Sequence, residues 1–233
     1  MINDRRITNR LNWVLDNLVL PYLRDSKIFM GIWFRLLFGN KSKCFMGFKE
    51  RAPHLNQEEY EKYYQLLSDV HLQRDTDLTG ECVQRILSRI QGESVLDVGC
   101  GKGYLMGKIA SEKGIRVVGV DIAASEQQET SSHITFVRHN VQTLPFEDRS
   151  FDTVLCTHTI EHLPAPLQTV REIRRVAARK IIIVVPRQRE YRYTFDLHIH
   201  FFPYIFSLQK IMRNERALCD VIGNDIYYEE EVV

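Results

Sequence analysis

A doubly wound α/β domain behind a helical extension is the fold class this sequence predicts, on three observations. From Glu93 onward, short β-rich runs alternate with helical patterns, as in strands joined by crossover helices. One run, Ile181-Ile-Ile-Val-Val185, has five successive β-branched residues, which suits a strand buried on both faces of a parallel sheet. Before Glu93 the apolar residues fall at helical spacing instead, as in Leu78, Val83, Ile86, Leu87 and Ile90.

The elements follow in order. The most apolar early stretch, 28–38, is 11 residues long and contains Gly31 and Arg35. It is shorter than the roughly 20 residues a bilayer span needs. Pro21 and Pro53 mark turns. Asn56 and Glu59 have the form of a capping box, opening a helix through Tyr60, Tyr63, Tyr64 and Leu67. Gly92 is expected to end the next helix. Strands are expected over 94–98, 115–120, 133–138, 151–156 and 180–185, with helices over 104–111 and 167–178. The tail supplies a helix over 204–212 and strands over 217–222 and 226–232. Five acids between Asp220 and Glu231 are expected to make the ending a polar edge. The division expected is a helical extension over 1–75 and an α/β domain over 76–233.

Composition excludes several classes. Of 233 residues, 31 are Lys or Arg and 30 are Asp or Glu, a net of +1. That balance argues against a dedicated nucleic-acid binder, which rests on many phosphate contacts. Cysteines at 44, 82, 100, 156 and 219 are odd in number and lack CxxC spacing. A disulfide scaffold and a Cys-based metal site are therefore not expected, and reduced thiols point to a cytoplasmic protein. Residues 1–6 are not followed by the apolar run of a signal peptide. Residues 1–52 hold ten basic and four acidic side chains with Trp13, Phe29, Trp33, Phe34 and Phe38. Such a mixture marks either a peripheral membrane contact or a lid whose aromatic face is packed. The packed reading is favoured, because aromatic stripes are usually core.

The chemistry concentrates in Val95-Leu-Asp-Val-Gly-Cys-Gly-Lys-Gly103. Strand, glycine turn and helix follow one another, so the turn can approach a ligand and the helix can aim its amides at an anionic group. Asp121 ends the second strand, 18 residues after Gly103, where an acid suits ribose hydroxyls. A nicotinamide dinucleotide is one candidate. Against it, the spacing is GxGxG with Tyr104 where GxxG would need glycine, and Asp97 would repel a pyrophosphate. A ligand with an ammonium and a sulfonium would not be repelled.

Leu96 to Gly103 resembles motif I of class I S-adenosylmethionine-dependent methyltransferases. Asn140-Val-Gln-Thr-Leu-Pro-Phe146 resembles the family's adenine-lining segment, with Asn140 where Asp is common. Ser150-Phe-Asp-Thr-Val-Leu-Cys156 and Thr157-His-Thr-Ile-Glu-His-Leu163 resemble the fourth strand and loop of the small-molecule, quinone-biosynthesis-like branch (methyltransferase type 11). The likeness covers about residues 76–186. It implies a Rossmann-like, seven-stranded, mostly parallel sheet with an antiparallel last strand. It also implies methyl transfer from S-adenosyl-L-methionine to an oxygen, nitrogen or carbon of a small molecule by direct displacement.

The roles implied are residue by residue. Gly99, Cys100, Gly101 and Gly103 shape the methionine pocket, and Asp97 meets the amino side. Asp121 takes the ribose, Ile122 the adenine face, Asn140 and Val141 its edge, and Thr157 lies near the methyl group. His158 and His162 are candidates for a general base or for positioning, with His162 more readily read as holding the loop. An already acidic acceptor needs no base. His198, His200 and Arg187 are candidates for the acceptor pocket; a metal at His198 and His200 is the weaker reading. The eight Lys and Arg against two Glu between Arg171 and Arg192 are expected to be mostly a solvated face. Alternatives are a lipid-linked or membrane-proximal acceptor, and a non-catalytic cofactor-binding or interaction protein.

Overall fold

The computed structural model describes residues 13–15, 17–56, 58–63, 66, 75–124 and 131–232. Tyr64 and Leu67 of the expected helix, and the basic stretch 1–6, lie outside these residues. The chain forms two compact units, Met1–Asp77 with Arg189–His200, and Leu78–Gln188 with Phe201–Val233.

The first unit is helical. Helices α1 (Pro21–Arg24), α2 (Lys27–Phe38) and α3 (Ser42–Arg51) are followed by helical residues at 58–63. Pro21 opens α1, where a missing N–H leaves no bond unmade. Ser26 caps α2 by accepting the Phe29 amide. The Asn56–Glu59 box forms as expected. The Glu59 amide donates to Asn56 Oδ1 at 2.9 Å, and the Asn56 amide to Glu59 Oε2 at 3.0 Å. The aromatic residues noted in the sequence divide: Phe34 is buried and Phe29 and Phe38 are half-buried, whereas Trp13 and Trp33 are exposed. Phe34, Phe45 and Phe48 are buried with Tyr191, Tyr193 and Phe195. Phe38 stacks on Phe45 with ring centroids 4.0 Å apart. Lys49 Nζ donates to the Tyr191 carbonyl at 2.9 Å, and the Arg192 amide to Asp25 at 2.9 Å. The segment Arg189–His200, distant in sequence, thus completes this aromatic core.

The second unit is a seven-stranded sheet in the order β3-β2-β1-β4-β5-β7-β6. The strands are β1 (Ser94–Val98), β2 (Arg116–Asp121), β3 (Ile134–Arg138), β4 (Phe151–Thr157), β5 (Ala177–Pro186), β6 (Leu218–Ile222) and β7 (Asp225–Glu231). The β1 to β5 pairings are parallel, and β7 runs antiparallel to both β5 and β6. Helices α4 (Gly80–Arg89), α5 (Tyr104–Lys113), α6 (Pro166–Val176) and α7 (Ile205–Met212) accompany it. One buried cluster gathers Leu96, Val98, Val154, Ile181 and Ile183 with α6 and α7 residues; another gathers Val95, Leu155, Ile182 and Val184 with α4 and α5 residues. Successive residues of one strand thus feed opposite faces, as the apolar run of β5 predicts. Helix α4 is capped by Thr79, whose hydroxyl accepts the Cys82 amide at 3.2 Å. It ends at Arg89, and Gly92 (φ 75°) shapes the later turn into β1 instead of closing the helix.

One expectation is corrected by the sheet order. Strand β7 is interior and β6 is the edge, so Asp225, Glu229 and Glu230 are buried and form no polar edge. Glu229 accepts from Arg89 Nε at 3.0 Å and from the Tyr227 hydroxyl at 2.7 Å, with Lys180 Nζ at 3.5 Å. Glu230 accepts from Arg174 Nε at 2.7 Å, Asn214 at 2.9 Å and the Tyr228 hydroxyl. Of the basic run, Arg171, Arg179, Arg187, Arg189 and Arg192 are exposed, as expected of most of it, while the other three are less exposed and meet acids. Arg174 and Lys180 neutralise the β7 acids, and Arg175 donates to Glu172 at 2.7 Å and to the Phe146 carbonyl at 2.7 Å. A buried charge must be paired, and these acids draw their partners from α4, β5 and α6.

Candidate functional site

The site lies at the carboxyl ends of β1, β2 and β4, where open α/β sheets bind ligands. The turn after β1 is built by left-handed residues: Gly99, Gly101 and Gly103 have φ of 78°, 52° and 81°. Gly99 is required twice over. Its φ favours glycine, and a Cβ there would sit 2.1 Å from Thr159 Oγ1. Thr159 in turn donates to the Thr157 carbonyl at 3.0 Å and to Val98 at 3.3 Å, tying the β4 loop to the end of β1. Gly101 is different, since a Cβ on it would meet nothing within 4 Å. Its amide donates to Asp121 Oδ2 at 2.9 Å, and the Ala123 amide donates to Asp121 Oδ1 at 2.8 Å. One carboxylate thus joins the glycine turn to the end of β2.

Electrostatics single out Asp97. It is only 1% exposed, in the centre of the sheet between β2 and β4. Its Oδ1 has no hydrogen-bond partner among the described residues. Burial first, and then the charge of Asp121, pushes its pKa up to about 7. Burial also raises Asp121, against the opposing pull of the Ala123 and Gly101 amides. Burial, with the charges of Asp97 and Asp121, pushes the Cys100 thiol up as well, so Cys100 is a neutral wall of the turn. Two acids and an unfilled approach at Gly101 make a place suited to a cationic group.

The other predicted residues divide. Ile122 follows β2 and is partly exposed; Val141 is buried in the core of the sheet unit. Asn140 Oδ1 accepts the Gln142 amide at 2.9 Å, which sets the turn carrying both residues. Thr157 ends β4. His158 follows in a left-handed conformation (φ 50°), its amide bonded to Val184 at 2.8 Å. Its ring lies between two buried acids: Nε2 is 3.3 Å from Asp225 Oδ1, and Nδ1 is 3.7 Å from Glu161 Oε1. His162 Nε2 is 3.9 Å from the same Glu161 oxygen. Arg187 is exposed just after β5, its amide donating to Asn224 at 2.8 Å. His198 and His200 belong to the helical unit, in the Arg189–His200 segment.

Sequence reasoning missed Thr159, Glu161 and Asp225. Glu161 stood in plain view inside Thr-Ile-Glu-His. Asp225 reaches His158 only because β7 lies beside β5, with Asp225 opposite Pro186, and no local signal announces that pairing.

With this geometry in hand, the chain can be set beside known proteins. Residues 96–185 match the family described as "Methyltransferase domain". The Ubiquinone biosynthesis O-methyltransferase of Nitrosospira multiformis is 35% identical over 92 residues, covering 36% of this chain and 38% of that protein. That of Paracidovorax citrulli is 36% identical over 99 residues, covering 39% and 41%. This chain thus spans about two fifths of the length of these curated relatives. The crystal structure of a SAM dependent methyltransferase from Aquifex aeolicus shares the fold, with a TM-score of 0.55 at 15% identity, over 72% of this chain and 98% of that one. Residues 96–185 are thus similar to the methyltransferase domain family, and the chain shares the fold of the Aquifex aeolicus SAM dependent methyltransferase structure.

Proposed function

We propose that this protein binds S-adenosyl-L-methionine and transfers its methyl group to a nucleophilic atom of a small molecule. The observation that carries the reading is Asp97: a buried acid with an unpartnered oxygen beside the glycine turn. Such a group is costly unless a ligand satisfies it. The cofactor's ammonium suits Asp97, its ribose hydroxyls suit Asp121, and the open approach at Gly101 suits the methionine chain. Ile122, Asn140 and Val141 are proposed for the adenine, and Thr157 for the neighbourhood of the methyl.

When bound, the cofactor supplies an electrophilic methyl on a positive sulfonium. The protein's own part is alignment and exclusion of water. Thr159 holds the β1 and β4 ends together, so that turn and acceptor loop keep one spacing. Glu161 and Asp225 face the two nitrogens of the His158 ring and fix its plane, and the ring is proposed to position the acceptor. His162 is proposed to hold the loop through Glu161. The relatives' names support an oxygen acceptor in a small molecule, and Arg187 is proposed to meet an anionic one. His198 and His200 stay in the proposal as acceptor-pocket residues. The helical extension over 1–75 and the cofactor domain over 76–233 are part of the same proposal. A cytoplasmic location is also part of it, supported by five free cysteines.

The test is calorimetric titration with S-adenosylmethionine and its demethylated product, alongside transfer of labelled methyl to phenolic acceptors. Binding by the intact chain and none by Asp97→Ala is expected. No binding of either ligand would sink the reading. Tight binding without transfer to any acceptor would favour a non-catalytic cofactor-binding protein. Replacing His158 by Gln should leave cofactor affinity intact and slow transfer by about a hundredfold. An unchanged rate would return His158 to a purely structural role.

A further inference from the structure

We infer that the outer face of α2 is a docking surface for an anionic phospholipid bilayer. Of the 12 residues of helix α2, only Lys27 and Arg35 are charged. Met30 and Phe34, four apart, are buried on one face. The outward face carries Ile28, Ile32 and Leu36, also four apart and 82%, 59% and 73% exposed. A helix facing water ordinarily places charged residues there. Trp33 is exposed on the same helix, and Leu18, Leu20 and Tyr22 are exposed just before it. A single exposed aliphatic means little, but a run of this kind marks an interaction surface. Of the aromatic residues noted in the sequence, Phe34 is buried, while Trp13 and Trp33 stay exposed together with the aliphatic stripe.

Charge selects the occupant. Residues 24–43 contain Arg24, Lys27, Arg35, Lys41 and Lys43 against one acid, Asp25. Asp25 already accepts the Arg192 amide. Lys27 and Arg35, on the helix itself, are exposed. Anionic headgroups complement this set, while the aliphatic stripe enters the acyl boundary. A second copy is a poorer fit, because a two-fold contact sets a patch against itself and would oppose like charges. The 12 residues of α2 reach about 18 Å, short of the roughly 30 Å hydrocarbon core. Among the described residues no helix is long and apolar enough to cross a membrane. The helix would lie in the interfacial plane, where Trp33 and Tyr22 are at home.

The test uses the full chain without cofactor, so its failure is separate from failure of the methyl-transfer reading. The chain has two tryptophans, and Trp13→Phe leaves Trp33 as the single reporter. Vesicles of phosphatidylcholine with about one quarter phosphatidylglycerol should shift Trp33 emission to shorter wavelength. Acyl-brominated lipid should quench it. Phosphatidylcholine alone should do neither, and salt near 0.5 M should weaken the anionic response. The combined Ile28→Ser, Ile32→Ser and Leu36→Ser variant should lose at least about tenfold in vesicle partition while keeping its melting transition. An unshifted Trp33 spectrum overturns the proposal, whether or not the triple variant folds. Undiminished binding by a folded triple variant also overturns it. So does a dimer in sedimentation that this variant dissolves, which would assign the face to a second copy.

Discussion

Asp97 and Glu229 are buried acids of one sheet, yet their surroundings treat them oppositely. Glu229, on β7, accepts from Arg89 and Tyr227 and lies beside Lys180. Burial alone would raise its pKa, but the hydrogen bonds from Arg89 and Tyr227, with the Lys180 and Arg89 charges, outweigh it and hold it at about 2. Asp97, on β1, has no such partner for Oδ1, and burial with the Asp121 charge lifts it to about 7. Strand β7 commits its polar groups to stability. Strand β1 leaves one uncommitted, as sites that bind ligands commonly do.

Substitutions can break this contrast. The largest expected effect is Glu229→Ala, which leaves Lys180 buried against only the exposed Glu231. Breaking such a buried pair costs about 3–5 kcal/mol, read as a lowered urea midpoint at neutral pH. A loss below about 1 kcal/mol would place the pair with ordinary surface bridges. Asp97→Asn should act with the opposite sign. Raising an acid from 3.8 to about 7 corresponds to about 4 kcal/mol of charge cost above that pH. The neutral amide removes this cost but is itself unpartnered, so a gain of about 2 kcal/mol is expected at pH 8. The same variant should lose its response to the cofactor. Destabilisation at pH 8 would mean that Asp97 is satisfied in the free protein. Tyr227→Phe removes one donor to Glu229 and should cost about 1.5 kcal/mol.

The pH dependence sharpens the same comparison. Between about pH 4 and 7 the unfolded chain releases the Asp97 proton while the folded chain keeps it. Asp97 therefore makes stability fall as pH rises through that window. For Glu229 the folded pKa is depressed. Its contribution is fully present above its unfolded value of 4.5 and is lost as pH falls toward 2. Urea unfolding from pH 3 to pH 8 should show both slopes, with Asp97→Asn flattening only the upper one.

Much of the sheet was legible because its signals are local. Strand β1 stands at the residues expected, the glycine turn follows it, and Asp121 ends β2. Helix α6 ends at Val176, before the expected 178, because Ala177 already pairs with Phe151. The β7 acids were misread for a physical reason. Whether an acid lies at an edge depends on which strand is outermost, and chain order does not say. Tyr191, Tyr193 and Phe195 pack with Phe34, Phe45 and Phe48, a contact that no local pattern announces.

By itself the sequence determined the periodicities, the caps and the left-handed glycine turn, since these depend on neighbours a few residues away. It thereby determined the α/β class and the acids at the ends of β1 and β2. The tertiary structure alone decided the long-range partners. Glu229 meets Arg89 across 140 positions of chain, Asp225 meets His158, and Tyr191 joins the helices near Phe48. Those contacts exist only after β7 is inserted between β5 and β6 and after a late segment returns to the first unit. Insertion order and chain return are properties of the whole packing, which no short window of sequence contains.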